Sequence, residues 1–353
     1  MSGETGDRTS GETGGERREA PTRRERAVDV LVVGAGPAGL ATAAGLAAAG
    51  AGRVEVLERE RQAGGVPRHC HHGGFGDRTV AGLAVPGTSG PRYARRCVEA
   101  AVRAGATVRT GVTATAWAGP RTLDTTSPQG LERLTARAVV LATGARERPR
   151  AARLVPGSRP AGVYTTGELQ QAVHLFGQHV GSRAVVVGGA AVAYAALDTL
   201  RRAGVDAVAH VTSSARTDVP APRAAVARLW HGTPLLTETD VVEIVGRGRL
   251  TGVRLRHRTG RSAHLACDTV VFTGDFVPDH ELARRGGVPL APGTRFPDVD
   301  AAFRTRLPGV FAVGNLAHAV TPARVVTAEG RRAAESVRRF LASGEWPPTA
   351  SAR

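Results

Sequence analysis

Apolar runs that stop at glycine set the rhythm of this chain. The run VDVLVV at 28–33 is too short to cross a membrane and too uniformly apolar for a half-exposed strand, so it predicts a strand covered on both faces. An alanine-rich stretch that opens at Pro37 predicts a helix, and the apolar positions that lead to Glu58 predict a second strand. The same order of strand, small-residue turn, helix and strand recurs in SRAVVVGGAAVAYAALDTLRRAGVDAVAHVTSS at 182–214. Repetition on this scale signals a duplicated βαβ unit. Each copy also closes alike, with RAVVLATGARERP at 137–149 and DTVVFTGDFVPDHEL at 268–282, two apolar strands that stop at Thr-Gly. Residues 107–138 alternate apolar and polar around GPRTLD and SPQG, which predicts a small antiparallel meander, and the last helix is predicted to start after Thr321-Pro322.

These elements predict an α/β protein with two Rossmann-like dinucleotide-binding domains, each with a small antiparallel meander, the second domain inserted into the first. The first takes residues 27–153 and 277–345, and the second 154–276. Residues 1–26 repeat SGETG at 2–6 and 10–14 and then run ERREAPTRRERA with nothing to bury; they are expected to be a disordered tail, and 346–353 a second tail.

Composition narrows the classes. A chain of 353 residues that is 42% hydrophobic has room for two cored domains. Its formal charge of +16 is carried by arginine alone, scattered among alanine and glycine. With 4% aromatics and neither a basic helix nor a stacking platform, that charge argues against nucleic-acid binding and leaves a role in docking an acidic partner. No run approaches the ~18 apolar residues of a membrane span, and the N-terminus is charged, so neither a span nor a signal peptide is expected and the protein is expected in the cytoplasm. Cys70, Cys97 and Cys267 lie far apart, without zinc spacing or a CxxC.

The chemistry starts at GAGPAG. Gly34, Gly36 and Gly39 fill GxGxxG directly after a buried strand, and Glu58 ends the next strand 24 residues beyond Gly34. Gly34 permits the tight turn, Gly36 lets backbone approach a pyrophosphate, and Gly39 lets the helix pack on the strand. Phosphates then sit at the helix N-terminus formed by Pro37 and Ala38, where free N–H groups and the dipole favour anions, and the Glu58 carboxylate is placed for ribose hydroxyls. The second copy is eroded. Ala190 follows Gly188 where bare backbone is needed, Ala193 takes the third position, and Thr212 stands where Glu58 would, beside Ser213, Ser214 and Arg216. Three readings stand for it: an NADPH site in which the serines and Arg216 receive a 2′-phosphate, an NADH site, and a structural or regulatory domain, which the lost glycine and acid favour.

With GAGPAG and Glu58, ATG at 142–144 and PGVFAVGN at 308–315 before a final helix, the chain resembles the two-dinucleotide-binding-domain flavoproteins of the pyridine nucleotide-disulfide oxidoreductase superfamily. The resemblance spans 28–342 and implies FAD, with Thr143 and Gly144 of ATG and Gly314 among its contacts. Family members bring an acidic residue to the ribityl chain where this chain has Asn315, whose amide still hydrogen-bonds hydroxyls. The meander backbone near Ala114 would then lie against adenine, and the N-terminus of the last helix would point at the flavin N1–C2=O region. GGVPRHCHHGGFG at 64–76, SGPRYARRCVEAAVRAGATV at 89–108, ATGARERPR, PGSRPAGVYTTGELQ at 156–170 and GNLAHAVTPARVVTAEGRRAA at 314–334 look like the FAD-containing alpha-type subunits of heteromeric amine, opine and proline dehydrogenases and hydrogen cyanide synthase. That narrower resemblance implies a partner flavoprotein that oxidises an amine or hydroxy acid. Larger relatives carry a C-terminal cysteine-rich module, so a small iron-sulfur protein is expected to supply any cluster here.

In disulfide reductases the loop after GG holds two cysteines, whereas here Cys70 stands alone among His69, His71 and His72, which argues against a dithiol. Adjacent residues of an extended chain point to alternating sides, which argues against a metal. The loop is expected instead to line the flavin, with Gly64 and Gly65 letting backbone run close to the ring and Arg68 and His69 facing the cofactor. No Ser/His/Asp grouping or carboxylate pair stands out. The expected function is that of an FAD-dependent electron-transferring subunit; the alternatives are a self-contained NAD(P)H-dependent reductase and an FAD-stabilised scaffold.

Overall fold

The computed structural model describes residues 23–347 apart from 76–78, 81–82, 85–86 and 220–230. The chain runs β1 (Arg24–Val33), α1 (Pro37–Ala48), β2 (Val54–Glu58), the two-residue pair β3 (Thr79–Val80) and β4 (Leu83–Ala84), α2 (Gly90–Arg103), β5 (Thr107–Thr110), β6 (Thr113–Gly119), β7 (Thr122–Ser127), β8 (Gly130–Leu141) and β9 (Ala145–Glu147). There follow β10 (Val163–Thr165), α3 (Thr166–His174), β11 (Arg183–Val187), α4 (Ala191–Arg202), β12 (Asp206–Val211), β13 (Leu235–Leu236), β14 (Thr239–Arg247), β15 (Arg249–His257), β16 (Ser262–Ala266) and β17 (Thr269–Phe272). Last come β18 (Phe276–Pro278), α5 (Glu281–Arg285), β19 (Val310–Ala312) and α6 (Ala323–Ser343).

The two largest sheets follow the duplicated pattern. The first has the order β5-β2-β1-β8-β7-β6, with β19 paired to β8. β8 has two tasks, which explains its length: residues 130–135 close the antiparallel meander with β7, and 139–141 run parallel between β1 and β19. The second sheet is wholly parallel, β10-β17-β11-β12-β13, and the three-stranded antiparallel meander β14-β15-β16 packs against it. An antiparallel ribbon of β9 and β18 joins the two units. The fold is thus a two-domain Rossmann-like α/β arrangement with a meander in each half. Among the described residues no helix is long and apolar enough to cross a membrane.

Two expected tail boundaries need correction. β1 starts at Arg24, not after residue 26, because its first residues pair with Glu132–Ala136 of β8 and Arg26 reaches the buried Glu55 at 2.9 Å. Arg109 bridges Glu55 at 2.7 Å and Glu132 at 2.5 Å, so burial of two acids is compensated by two guanidinium groups that tie β1, β2, β5 and β8 in register. Trp346, expected in the C-terminal tail, packs edge-on to Phe311 and Phe340 with ring centroids 5.1 Å apart. Residues 1–22 and 348–353 lie outside the described residues.

Helix α6 closes the first unit by lying along α1. Small residues let the two backbones approach: a Cβ on Gly330 would collide with the Ala38 carbonyl and come within 2.9 Å of the Ala41 methyl, and one on Gly45 would meet the Ala334 methyl at 2.8 Å. Thr42 Oγ1 uses the closeness to donate to Gly330 O at 3.0 Å. Gly330→Ala is expected to lower stability by about 1–3 kcal/mol through overpacking; an unchanged urea midpoint for this variant would mean that the helices are not in such contact.

Candidate functional site

The site is built on the turn between β1 and α1. Gly34 has φ +105°, a conformation that favours glycine, and a Cβ there would also run into the Ala142 carbonyl at the end of β8. Gly39 is excluded from bearing a side chain by the Gly34 carbonyl, so helix and strand meet at backbone distance. Gly36 is different in kind. It is the N-cap of α1, and a Cβ on it would meet nothing within 4 Å. The space it leaves lies before the N-terminal N–H groups of Pro37–Ala48, where an anion is favoured.

Three other segments converge on this turn. Gly64 N donates to Ala35 O at 2.8 Å, and a Cβ on Gly65 would lie 2.8 Å from Gly36 Cα, so the histidine-rich loop starts against the turn. A Cβ on Gly314 would come within 2.8 Å of the Ala38 methyl. Glu58, 8% exposed, accepts from Ala35 N at 3.1 Å and Glu60 N at 2.9 Å, which fixes its carboxylate beside the turn. Its own carbonyl accepts from Val112 N at 2.9 Å, bringing the half-buried Ala114 to the same side. Thr143 and Gly144 follow β8 and are held by Asp279: Thr143 Oγ1 donates to Asp279 O at 2.8 Å, and Asp279 N donates to Gly144 O at 2.9 Å. The structure therefore gathers Gly34, Gly36, Pro37, Ala38, Gly39, Glu58, Gly65, Ala114, Thr143, Gly144 and Gly314 about one turn. Open space at Gly36, a helix N-terminus and an anchored carboxylate fit the pyrophosphate and ribose of a dinucleotide.

Asn315 is largely used by its own loop. Its Oδ1 accepts from Thr321 N at 3.0 Å and Thr321 Oγ1 at 3.3 Å, and Nδ2 donates to Thr321 O at 3.4 Å, leaving one N–H for a ligand. His318 adds a second brace. Its Nδ1 faces Ala319 O and its Nε2 faces the Glu329 carboxylate, each at 2.8 Å; two acceptors favour the doubly protonated ring, and its pKa is raised despite the opposing effect of burial.

The histidine-rich loop sends its side chains in different directions. His69 Nδ1 lies 3.3 Å and Cys70 Sγ 3.2 Å from Gln170 Oε1 on α3. His71 stacks on His174 of the same helix with centroids 4.0 Å apart and planes within 2°. His72 Nδ1 donates to Gly73 O at 2.8 Å. Burial pushes the Cys70 thiol up to about 12, helped by the Glu147 carboxylate, so it stays protonated. Burial likewise takes His69 down to about 4, in spite of the Gln170 hydrogen bond. The Arg68 side chain makes no hydrogen bond or ion pair among the described residues, and its Nε is buried without a partner. Such an orphaned donor is what a bound group would satisfy.

At the second turn, Gly188 would collide with Thr273 if it bore a Cβ, so this glycine is needed by the fold itself. Ala190 caps α4, with its methyl 3.6 Å from where a Gly274 Cβ would stand, and Ala193 is fully buried in the helix-sheet contact. Both carbonyls of the turn are taken by the chain: His210 Nε2 donates to Gly188 O at 2.7 Å and Asp218 N to Gly189 O at 2.9 Å. Thr212 is buried and its Oγ1 accepts from Ser214 N at 3.3 Å, while the side chains of Ser213, Ser214 and Arg216 are exposed.

Sequence reasoning missed the residues that join the loop to the second unit. Gln170 and His174 sit on a short helix whose visible signal is its capping box, Thr165 with Glu168. Glu147 is a further residue that sequence leaves unmarked. It accepts from Gly167 N at 2.9 Å and Gly274 N at 2.8 Å, and burial raises its pKa.

The pyridine nucleotide-disulphide oxidoreductase family matches residues 28–331. The F subunit of alkyl hydroperoxide reductase from Xanthomonas campestris pv. phaseoli is 31% identical over 353 residues, 95% of this chain and 61% of that protein. The A subunit of opine oxidase from Agrobacterium tumefaciens is 34% identical over 189 residues, 50% of this chain and 35% of that protein. Among solved structures, T. acidophilum thioredoxin reductase superposes with a TM-score of 0.73 at 22% identity, over 90% of this chain and 100% of that one. The chain spans about three fifths of the length of the hydroperoxide reductase protein it matches.

The contrast between two glycines gives a test. Gly36→Ala meets no protein atom, so the flavin-free variant should melt as the parent does while bound flavin falls by about tenfold or more, the factor that ~1.4 kcal/mol confers. Gly34→Ala should instead destabilise the fold. A Gly36→Ala protein as yellow as the parent, by absorbance per mole of chain, would remove the phosphate site from this turn.

Proposed function

Because the chain belongs to the pyridine nucleotide-disulphide oxidoreductase family, whose members are FAD-dependent oxidoreductases, we propose that it is the electron-transferring FAD subunit of a heteromeric amine- or opine-type dehydrogenase. The observation that carries this reading is the sealed Cys70: a thiol pushed up to about 12 and tied to Gln170 has no redox partner among the described cysteines, which are all free. The partial likeness to one chain of opine oxidase supports it. The expected companions are a substrate-oxidising flavoprotein, acting on an amine or hydroxy acid, and a small iron-sulfur protein. We assign the complex to the cytoplasm, in keeping with the unpaired cysteines.

When bound, FAD supplies reversible uptake and release of an electron pair. The residues of the chain hold and tune it. In this reading Gly36 and the N-terminus of α1 carry the pyrophosphate, Glu58 the adenosine ribose, Ala114 the adenine edge, and Thr143, Gly144, Gly314 and the free N–H of Asn315 the remainder. The start of α6 offers its positive end to the flavin. Arg68 provides a fixed cation and an unpartnered Nε, and His69 a neutral ring.

A self-contained NADPH-dependent reductase is the second reading, favoured by the exposed Ser213, Ser214 and Arg216 after β12. The Ala190 methyl at the start of α4 and Thr212 in place of an acid argue against it. The isolated chain mixed anaerobically with NADH should lose its flavin absorbance slowly or not at all; the Ala190 methyl and the absent acid each cost about 1–3 kcal/mol, which together weaken binding by a factor of roughly thirty to twenty thousand. Ala190→Gly with Thr212→Glu should tighten NADH. Fast bleaching by NADH would overturn the heteromeric reading, and fast bleaching by NADPH alone would establish the reductase. Purification of the native protein should also bring down its companions.

A further inference from the structure

His69 is nearly enclosed, 6% exposed, yet only one of its ring nitrogens is engaged. Nδ1 faces Gln170 Oε1. Nε2 has no hydrogen bond among the described residues and is not one of the sealed polar atoms. The tautomer follows from what Gln170 holds. Its Oε1 is shared with the Cys70 thiol, which stays protonated and has a second acceptor in Val66 O at 3.4 Å. An amide oxygen shared by two groups asks both to donate, so the imidazole proton belongs on Nδ1 and the lone pair on Nε2.

We propose that Gln170 is a positioning residue that holds His69 in the Nδ1–H tautomer, so that the loop presents an accepting nitrogen, not a donor, to the bound flavin. The inference rests on the FAD reading above and deepens it: an imidazole held this way accepts from a ring N–H and cannot donate to a flavin oxygen. Gln170 belongs to α3 of the second unit and His69 to the loop of the first, so the accepting state exists only while that helix is seated on the loop. The His71–His174 stack is the second contact that seats it.

Apart from the Gln170 hydrogen bond, which favours the charged ring, the surroundings keep His69 neutral. Burial is the largest cause, and Arg68, His174 and His71 each disfavour a further positive charge. His174 is itself taken down to about 4 by burial and by His71, Arg202 and His72, against Asp198. Charge on these rings is therefore resisted in the seated state and permitted once α3 lifts away. By linkage, seating is complete above the ordinary histidine value and is lost as pH falls from there toward about 4.

The test reads the tautomer directly, by ¹⁵N NMR of the full chain labelled at histidine, with and without FAD. His69 should show a protonated Nδ1 and an unprotonated Nε2. Gln170→Leu should give a mixture of tautomers. Gln170→Glu, close in shape, should favour the protonated ring and raise its proton affinity about a hundredfold, into the range between about pH 5 and 8. In flavin reduction by dithionite, the parent should show no His69 ionisation between about pH 5 and 8, whereas Gln170→Glu should gain one. A parent resonance with Nε2 protonated overturns the proposal, since it requires the Gln170 amide to be turned round; so does a Gln170→Leu spectrum identical to the parent's. The expected tautomer in a chain that binds no FAD would overturn the flavin reading and leave the tautomer assignment standing.

Discussion

Everything in the first unit depends on how closely backbone approaches backbone at the β1–α1 turn. The end of β8 abuts Gly34, the histidine-rich loop abuts Gly36, and the loop before α6 abuts Ala38. These segments are remote in sequence, and each is kept in place by the absence of a side chain where it touches. Interiors pack like organic solids, so a single methyl at such a contact must displace a main chain. The site proposed for the dinucleotide and the centre of the fold are therefore the same few atoms. Of the three glycines of GAGPAG, Gly36 is the one that is bare without being crowded, which separates the demand of the ligand from the demand of the fold.

The two copies of the βαβ grammar show what that separation means. In the first, the turn keeps its helix N-terminus open and brings up Glu58, a carboxylate fixed by two backbone amides. In the second, Gly188 survives because Thr273 leaves it no room, while the two carbonyls of the turn are satisfied by His210 and Asp218. The first copy brings an acid to its turn and the second a threonine.

Local pattern makes the strands, the duplicated turn and the meander legible, because burial on both faces and alternation each leave a period in the chain. Pairing partners leave none. The start of β1 at Arg24 depends on Glu55, Arg109 and Glu132, three residues on three other strands, and a stretch such as ERREAPTRRERA reads as solvated tail until they are known. Trp346 looks superfluous until Phe311 and Phe340 are seen around it. Gln170 is invisible for the same reason: a glutamine on a nine-residue helix carries no signal, and its role comes from a loop about a hundred residues earlier. Asn315 reads as a ligand contact, and the structure adds that most of its capacity holds Thr321.

The position of β19 and α6 in the chain has a consequence for synthesis. The strands of the second sheet lie between residues 163 and 272, so that sheet can assemble as soon as its last strand has emerged from the ribosome. The first sheet lacks β19, and α1 lacks its covering helix, until residues 310–343 have been made. The apolar face of α1 stays uncovered until then, while the middle is free to fold ahead of it. The usual order, in which the segment translated first folds first, is inverted. During that interval Val326, Ala333, Ala334 and Val337, the buried face of α6, are what the nascent first unit is missing.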